Sequence, residues 1–329
     1  MSKGVNTAAA EENSPLKKRA GMSPIVKQLL TTIAAFVVIC IAFTILNPNF
    51  ISISNILNVC NQVAPVAIIS IGQTYVLITG GIDLSIGSNI AIGGVLCCQA
   101  IVAGMPVIVG ILIGLLAGTV VGIINGVLVV YGKLPPFIAT LGTMMAIRGL
   151  ALTITNGIPV TGLSKSFSFI GTDSWLGIPI SVYIMAVCAV VFGIILAKTK
   201  SGRYTYAVGS NYDATRLSGI NVNAAIIRVY AISGFLSALA GIIMAAKISS
   251  APPSAGDSYE LNAVASSVIG GASTMGGEGF IAGTIVGAFV FMTLSNGLNL
   301  AGISSFLQKV VIGIVIIAAV LWDKLRSRK

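Results

Sequence analysis

Ten apolar runs punctuate the chain, at about 29–46, 60–79, 84–103, 106–130, 134–155, 179–197, 224–247, 259–272, 280–298 and 304–322. Most approach the roughly 20 residues that a helix needs to cross a hydrocarbon core. A soluble fold cannot bury so many. Only 9% of the 329 residues are charged, against about a quarter in soluble domains, so the polar surface needed to face water is missing. The expected fold is an all-α polytopic membrane protein of about ten transmembrane helices. Re-entrant segments are the alternative for the weaker runs near 84 and 260.

A net charge of +10 in a soluble chain would point to nucleic acid. Here its placement argues for topology instead, and no nucleic-acid partner is expected. Lys3, Lys17, Lys18, Arg19 and Lys27 precede the first run, and Lys324, Arg326, Arg328 and Lys329 follow the last. Basic residues collect on the cytoplasmic side of short loops, so both termini are expected inside. Ten crossings return the chain to its starting side. The sixth ends at the basic island of Lys198, Lys200, Arg203, Arg216 and Arg228, which then falls inside with Lys133; nine or eleven crossings would strand one basic terminus outside. The predicted organisation is a cytoplasmic tail over 1–28, a transmembrane domain over 29–323 and a basic cytoplasmic tail over 324–329. Within it, 156–178 forms an external loop and 198–223 a cytoplasmic one. The first run lacks a small-residue cleavage site behind it and reads as a start anchor.

The absence of histidine excludes imidazole acid-base chemistry, Ser-His triads and His-ligated metals. Nine acidic residues provision paired-carboxylate catalysis poorly. Cys40, Cys60, Cys97, Cys98 and Cys188 lie in apolar runs without C-x-x-C spacing and read as small buried hydrophobes. The stretch from Gly126 to Gly132-Lys133 fails as a phosphate loop, because five residues separate the glycines and Leu134 stands where a magnesium-binding hydroxyl belongs. Gly277-x-Gly279-x-x-Ala282 lacks both the strand-helix unit and the acidic partner of a dinucleotide site. No second soluble domain is present, so a transporter built this way takes its energy from a separate protein or an ion gradient.

Glycines recur every fourth residue at Gly110, Gly114, Gly118, Gly122 and Gly126, and again at Gly279, Gly283 and Gly287. In lipid such a stripe lets another helix backbone approach closely. The loops from Gly80-Gly81 to Gly87 and from Gly270-Gly271 to Gly277 echo each other, though not as two halves of five spans.

Polar residues stand out against this background. Asp83 precedes the third run: a carboxylate there gates or couples a pathway, or caps free backbone N–H groups at a helix start. Arg148, within the fifth run, either snorkels or pairs with a carboxylate that the sequence does not identify. Ser70, Gln73 and Thr74 share one helical face, as do Thr140 and Thr143, and Asn262 and Ser266; Asn125 and Asn296 each precede a glycine. Gln73, Thr74, Asn125, Thr140, Thr143, Asn262, Ser266 and Asn296 form a candidate path for a neutral, hydroxyl-rich solute. The alternative is that Ser and Thr bond back to their own helix while Asn and Gln tie helices together. In the basic loop, Asn211 is placed to cap a short helix over 212–218 that Gly219 ends. That helix would present Asp213, Ala214, Arg216, Leu217 and Ser218 to the cytosol as a docking surface, rather than as a merely solvated connection.

These motifs resemble one family, the permease subunits of bacterial monosaccharide ABC importers of the ribose type. The resemblance runs through nearly the whole chain from about residue 29. It rests on Gly80-Gly81-Ile82-Asp83-Leu84-Ser85, on Pro136-Phe137-Ile138-Ala139-Thr140-Leu141-Gly142-Thr143, on the stretch Asn211 to Ile220, on Tyr259-Glu260-Leu261, and on Gly270-Gly271 with Gly276-Gly277. Ser210 and Thr215 stand where glycine and alanine are common. The resemblance implies a type II ABC-importer permease in the bacterial inner membrane, paired with a second permease subunit, commonly a copy of itself. An ATP-binding subunit would dock on the stretch Asn211 to Ile220 as a coupling helix, and an external sugar-binding protein would deliver the cargo. Asp83 and Ser85 would sit in a gate loop. This chain would bind no cofactor, ATP and magnesium being used by the partner. Ribose, other pentoses, galactose and related polyols all remain open as cargo. The rival reading is a secondary transporter or facilitator of a small neutral solute, which would more often carry an intramembrane acidic or His relay.

Overall fold

The computed structural model describes residues 24–326. Lys3, Lys17, Lys18, Arg19, Arg328 and Lys329, on which part of the topology argument rests, lie outside the described residues. The fold is helical almost throughout. In chain order it comprises α1 (Pro24–Leu46), a 3-10 turn (Pro48–Ile51), α2 (Ile53–Ile78), α3 (Ile86–Val102), α4 (Val107–Val130), α5 (Pro136–Thr155) and α6 (Lys165–Thr172). A two-stranded hairpin follows, β1 (Ser174–Trp175) with β2 (Ile178–Pro179). Then come α7 (Ile180–Lys198), α8 (Lys200–Ser210), α9 (Tyr212–Leu217), α10 (Val222–Ile248), α11 (Tyr259–Ile269), α12 (Ile281–Leu300) and α13 (Ser305–Arg326).

A helix answers each of the ten apolar runs, and seven of them, α1, α2, α4, α5, α7, α10 and α12, are long and apolar enough to cross a membrane. The protein is polytopic. Two of the remaining three differ from a full span. Helix α3 has 17 residues, and α11 has 11, about 16 Å of helix and half a hydrocarbon core. The regions near 84 and 260 are therefore the ones where regular helix gives way to turns.

Local chemistry sets the boundaries. Pro106, Pro135 and Pro179 stand immediately before α4, α5 and α7, where a fixed φ near −55° suits the entry to a helix. Asn156 (φ 50°) and Ser249 (φ 52°) end α5 and α10 in the left-handed region. The five cysteines are free.

The core forms around α2 and α10, whose middles are almost wholly buried. The α4 glycine stripe faces α3 and α10 along its length: Gly110 meets Cys97 and Ile101, Gly114 meets Gly93, Gly118 meets Ala238, Gly122 meets Tyr230 and Gly126 meets Ile227. A Cβ on Gly126 would lie 2.7 Å from the Ile227 Cα, so the backbones touch as closely as the stripe suggests. Gly283 and Gly287 do the same against Gly270 and Ser266. Outward-facing Val38, Ile45, Ile108, Leu116, Val187 and Ile317 leave an apolar exterior suited to acyl chains.

The connections gather at two ends. Asn47 Nδ2 donates to the Leu300 carbonyl at 3.0 Å, and Val160 pairs with Ala251. At the other end Gly277 N donates to the Ile78 carbonyl at 2.8 Å and Tyr206 OH to the Gly279 carbonyl at 2.6 Å. Both glycine loops and the basic island thus share one end.

Candidate functional site

The turn that ends α2 is made by Gly80 in the left-handed region (φ 78°), and the chain then runs through Asp83 into α3. Asp83 is buried. Its Oδ1 accepts from Ser85 N at 2.9 Å and Ser85 Oγ at 2.7 Å, and its Oδ2 accepts from Ser233 Oγ at 2.7 Å. Asp83 therefore holds the Ser85 N–H just before α3, without a cap bond to the first N–H groups of the helix itself, and also reaches α10. Ser233 lies eleven residues beyond Val222 in α10, about 16 Å along it, so the carboxylate sits near the middle of the span. The seam continues outward: Asn125 Nδ2 donates to Ser85 Oγ at 2.7 Å, and Thr143 Oγ1 to Asn125 Oδ1 at 2.6 Å. Thr140 Oγ1 donates to the Pro136 carbonyl at 2.9 Å and lies 3.2 Å from that of Ile82. Asp83, Ser85, Asn125, Thr140 and Thr143 are thus brought together, and the chain of side-chain donors from Thr143 through Asn125 and Ser85, joined by Ser233, ends at the carboxylate.

The other candidate path residues lie elsewhere. Thr74 Oγ1 is 2.8 Å from the Ser70 carbonyl, 3.1 Å from Ser267 Oγ and 2.7 Å from Thr284 Oγ1, where α2, α11 and α12 meet. Gln73 is fully buried, and among the described residues neither its amide oxygen nor its nitrogen has a partner; the same holds for Ser266 Oγ. Asn296 and Asn55 exchange amide hydrogen bonds of 3.0 and 3.1 Å. Asn262 is half-buried. In this conformation the eight residues do not line one open channel, and the bonds of Thr74, Thr140, Asn125 and Asn296 are to their own helix or to neighbouring elements.

The basic loop folds into two helices. Asn211 Oδ1 accepts from Ala214 N at 2.9 Å and caps α9, while Gly219 (φ 78°) turns the chain away after it. Thr215 alone is buried, and Tyr212, Asp213, Ala214, Arg216 and Ser218 are exposed, with Leu217 88% exposed. Leu217 thus stands uncovered between Arg216 and Ser218 at the end of α9. Beneath it, α8 is seated on the two glycine loops. Gly209 packs against the Ile78 carbonyl and Gly277 N, and Tyr206 bonds to Gly279. Burial pushes the Tyr206 phenol above its ordinary range, which keeps it a neutral donor. Helix α8 therefore connects α9 to the end of α2, five residues before Asp83.

Ser233, Tyr206 and Gly209 escaped the sequence reading. Ser233 and Ser237, four residues apart in an apolar helix, were the available signal for the first; nothing local distinguishes Gly209. Arg148, whose partner the sequence left open, forms an ion pair with Asp257 (Nη2 to Oδ1, 2.8 Å).

Residues 55–320 match the family described as "Branched-chain amino acid transport system / permease component". The chain is 46% identical to the ribose import permease protein of Bacillus subtilis, over 94% of this chain and 97% of that one. It is 45% identical to the ribose import permease protein of Haemophilus influenzae, over 90% and 93%, and 36% identical to the L-arabinose transport system permease protein of Escherichia coli, over 90% of each. No solved structure matches.

Proposed function

Because the chain belongs to the family of branched-chain amino acid transport system permease components, we propose that it is the membrane-spanning subunit of an ATP-driven importer whose cargo is a ribose-like monosaccharide. The cargo class is supported by similarity to ribose and arabinose permeases along nearly their whole lengths. The observation that carries the mechanism is α9, a capped and exposed helix that follows directly on α8, which is seated through Gly209 on the end of α2.

In this reading an ATP-binding subunit holds ATP and magnesium and docks on Asn211, Asp213, Ala214, Arg216, Leu217, Ser218 and Gly219. Both termini lie in the cytoplasm with the basic island, an external sugar-binding protein delivers the cargo to the opposite face, and a second permease copy completes the complex. Movement of α9 passes through α8 to Ile78 and to 277–279, and shifts α2 and α11 against the seam around Asp83 and Ser85. Interlocked glycine contacts favour motion of whole helices rather than local bending. Thr74, Asn125, Thr140, Thr143 and Asn296 then exchange interhelix bonds for sugar hydroxyls, and Gln73, Asn262 and Ser266 add further polar groups to the path. The unmet amide of Gln73 and hydroxyl of Ser266 support a second conformation in which they find partners.

Uptake of radiolabelled ribose by the assembled importer tests the reading. It is expected to stop on ATP depletion and to survive an uncoupler; the reverse pattern favours a secondary carrier.

A further inference from the structure

Arg148 lies twelve residues past Pro136 and seven before Thr155 in α5, about 10 Å inside the outer end of the helix. Its Nη1 donates to the carbonyls of Pro253 and Ala255, at 2.7 Å each, and its Nη2 pairs with Asp257. The segment bearing these partners, 252–258, is a run of turns between α10 and α11. It reaches inward far enough for Gly256 to pack on Gly87 and Ile90 of α3.

Two properties of this strap are incompatible with a lipid-facing position. Irregular backbone at membrane depth occurs only where protein buries it or where it lines a water-filled cavity. The Asp257 side chain is 71% exposed although it pairs with an arginine that is 19% exposed, and charged groups at such depth face water rather than acyl chains. The adjoining face of α5 is open: Met145 is 70% exposed, and a Cβ added to Gly142 or Gly149 would meet nothing. Three of the five Arg148 N–H donors go to the strap and its carboxylate, and Asp257, with its side chain mostly exposed, offers carboxylate acceptor capacity to a ligand. That suits a neutral solute whose hydroxyls donate, and does not suit an anion.

We propose that the Arg148–Asp257 pair lines the aqueous path at its outer mouth, where Asp257 accepts hydrogen bonds from sugar hydroxyls and Arg148 holds the strap in position. The ligand class rests on the import reading above; the placement of the pair in water does not.

The test uses the complete importer in proteoliposomes. Asp257→Cys is exposed from outside to a membrane-impermeant, positively charged methanethiosulfonate, with the parent chain as background. Modification above the parent level, slowed by saturating ribose together with the binding protein, is the expected result. Asp257→Ala is expected to raise the KM for ribose uptake about tenfold, with Asp257→Asn between it and the parent. A cysteine at 257 that stays unmodified in the inserted complex, as it would if a second copy or lipid covered this face, overturns the placement. An alanine variant with the parental KM overturns the contact. A parent importer that does not transport ribose, while the cysteine at 257 is still modified, fails the cargo reading alone.

Discussion

Asn125 donates its amide hydrogen to Ser85 Oγ at 2.7 Å, and so fastens the inner half of α4 to the first turn of α3. Because Ser85 in turn donates to Asp83, and Ser233 does so from α10, one carboxylate accepts from two elements directly and is reached by a third, α4, through Ser85. A buried charge held only by hydroxyl and amide donors depends on all of them being in place.

Replacing Asp83 with alanine strands the Ser85 and Ser233 hydroxyls in the interior, each at a cost of about 1–3 kcal/mol. The purified Asp83→Ala permease is expected to unfold several degrees below the parent in a detergent melt. Ser233→Ala, which removes one donor and leaves the carboxylate two others, is expected to shift the midpoint less.

Glycines of the stripe leave no room for a side chain, whereas Gly142 of α5 does. Gly122→Leu drives its side chain into the Tyr230 backbone, and is expected to abolish recovery of folded permease from membranes. Gly142→Ala, opposite open space in the protomer, is expected to leave stability unchanged or to raise it by up to about 1 kcal/mol.

Removing the α9 cap isolates the order of that helix from its surface chemistry. Asn211→Ala loses the bond to Ala214 N, worth about 1 kcal/mol of helix stability. Ribose uptake is expected to fall severalfold while membrane insertion is unaffected, and Asn211→Asp, which keeps the acceptor, is expected to restore most of it.

The seat of α8 is tested at Gly209. Any Cβ there overlaps the Ile78 carbonyl, so Gly209→Val is expected to lift α8 off the end of α2. The ATP-binding subunit should still co-purify, because α9 is unchanged, whereas uptake driven by ATP is lost.

Much of this arrangement was legible in the residues because it follows from local or periodic chemistry. Apolar run length marks the helices, prolines at 106, 135 and 179 mark their starts, and glycines every fourth residue mark the face on which α4 packs. Asn211 and Gly219 bracket α9 for reasons confined to those few residues. What was not legible depends on contacts across long separations. Asp83 meets Ser233 over 150 positions and Arg148 meets Asp257 over 109, and no periodicity reports such meetings. The same limit affected the candidate path: helical spacing places Thr140 and Thr143 on one face, but it cannot say that Asn125 faces them while Asn296 faces Asn55 at the opposite end.

The central claim, that ATP-driven movement enters through α9, is tested most directly by ribose uptake in Gly219→Asp and Arg216→Glu importers alongside the parent. Both variants are expected to insert at normal levels and to lose ATP-dependent uptake. Normal assembly with the ATP-binding subunit and undiminished transport in both would contradict it.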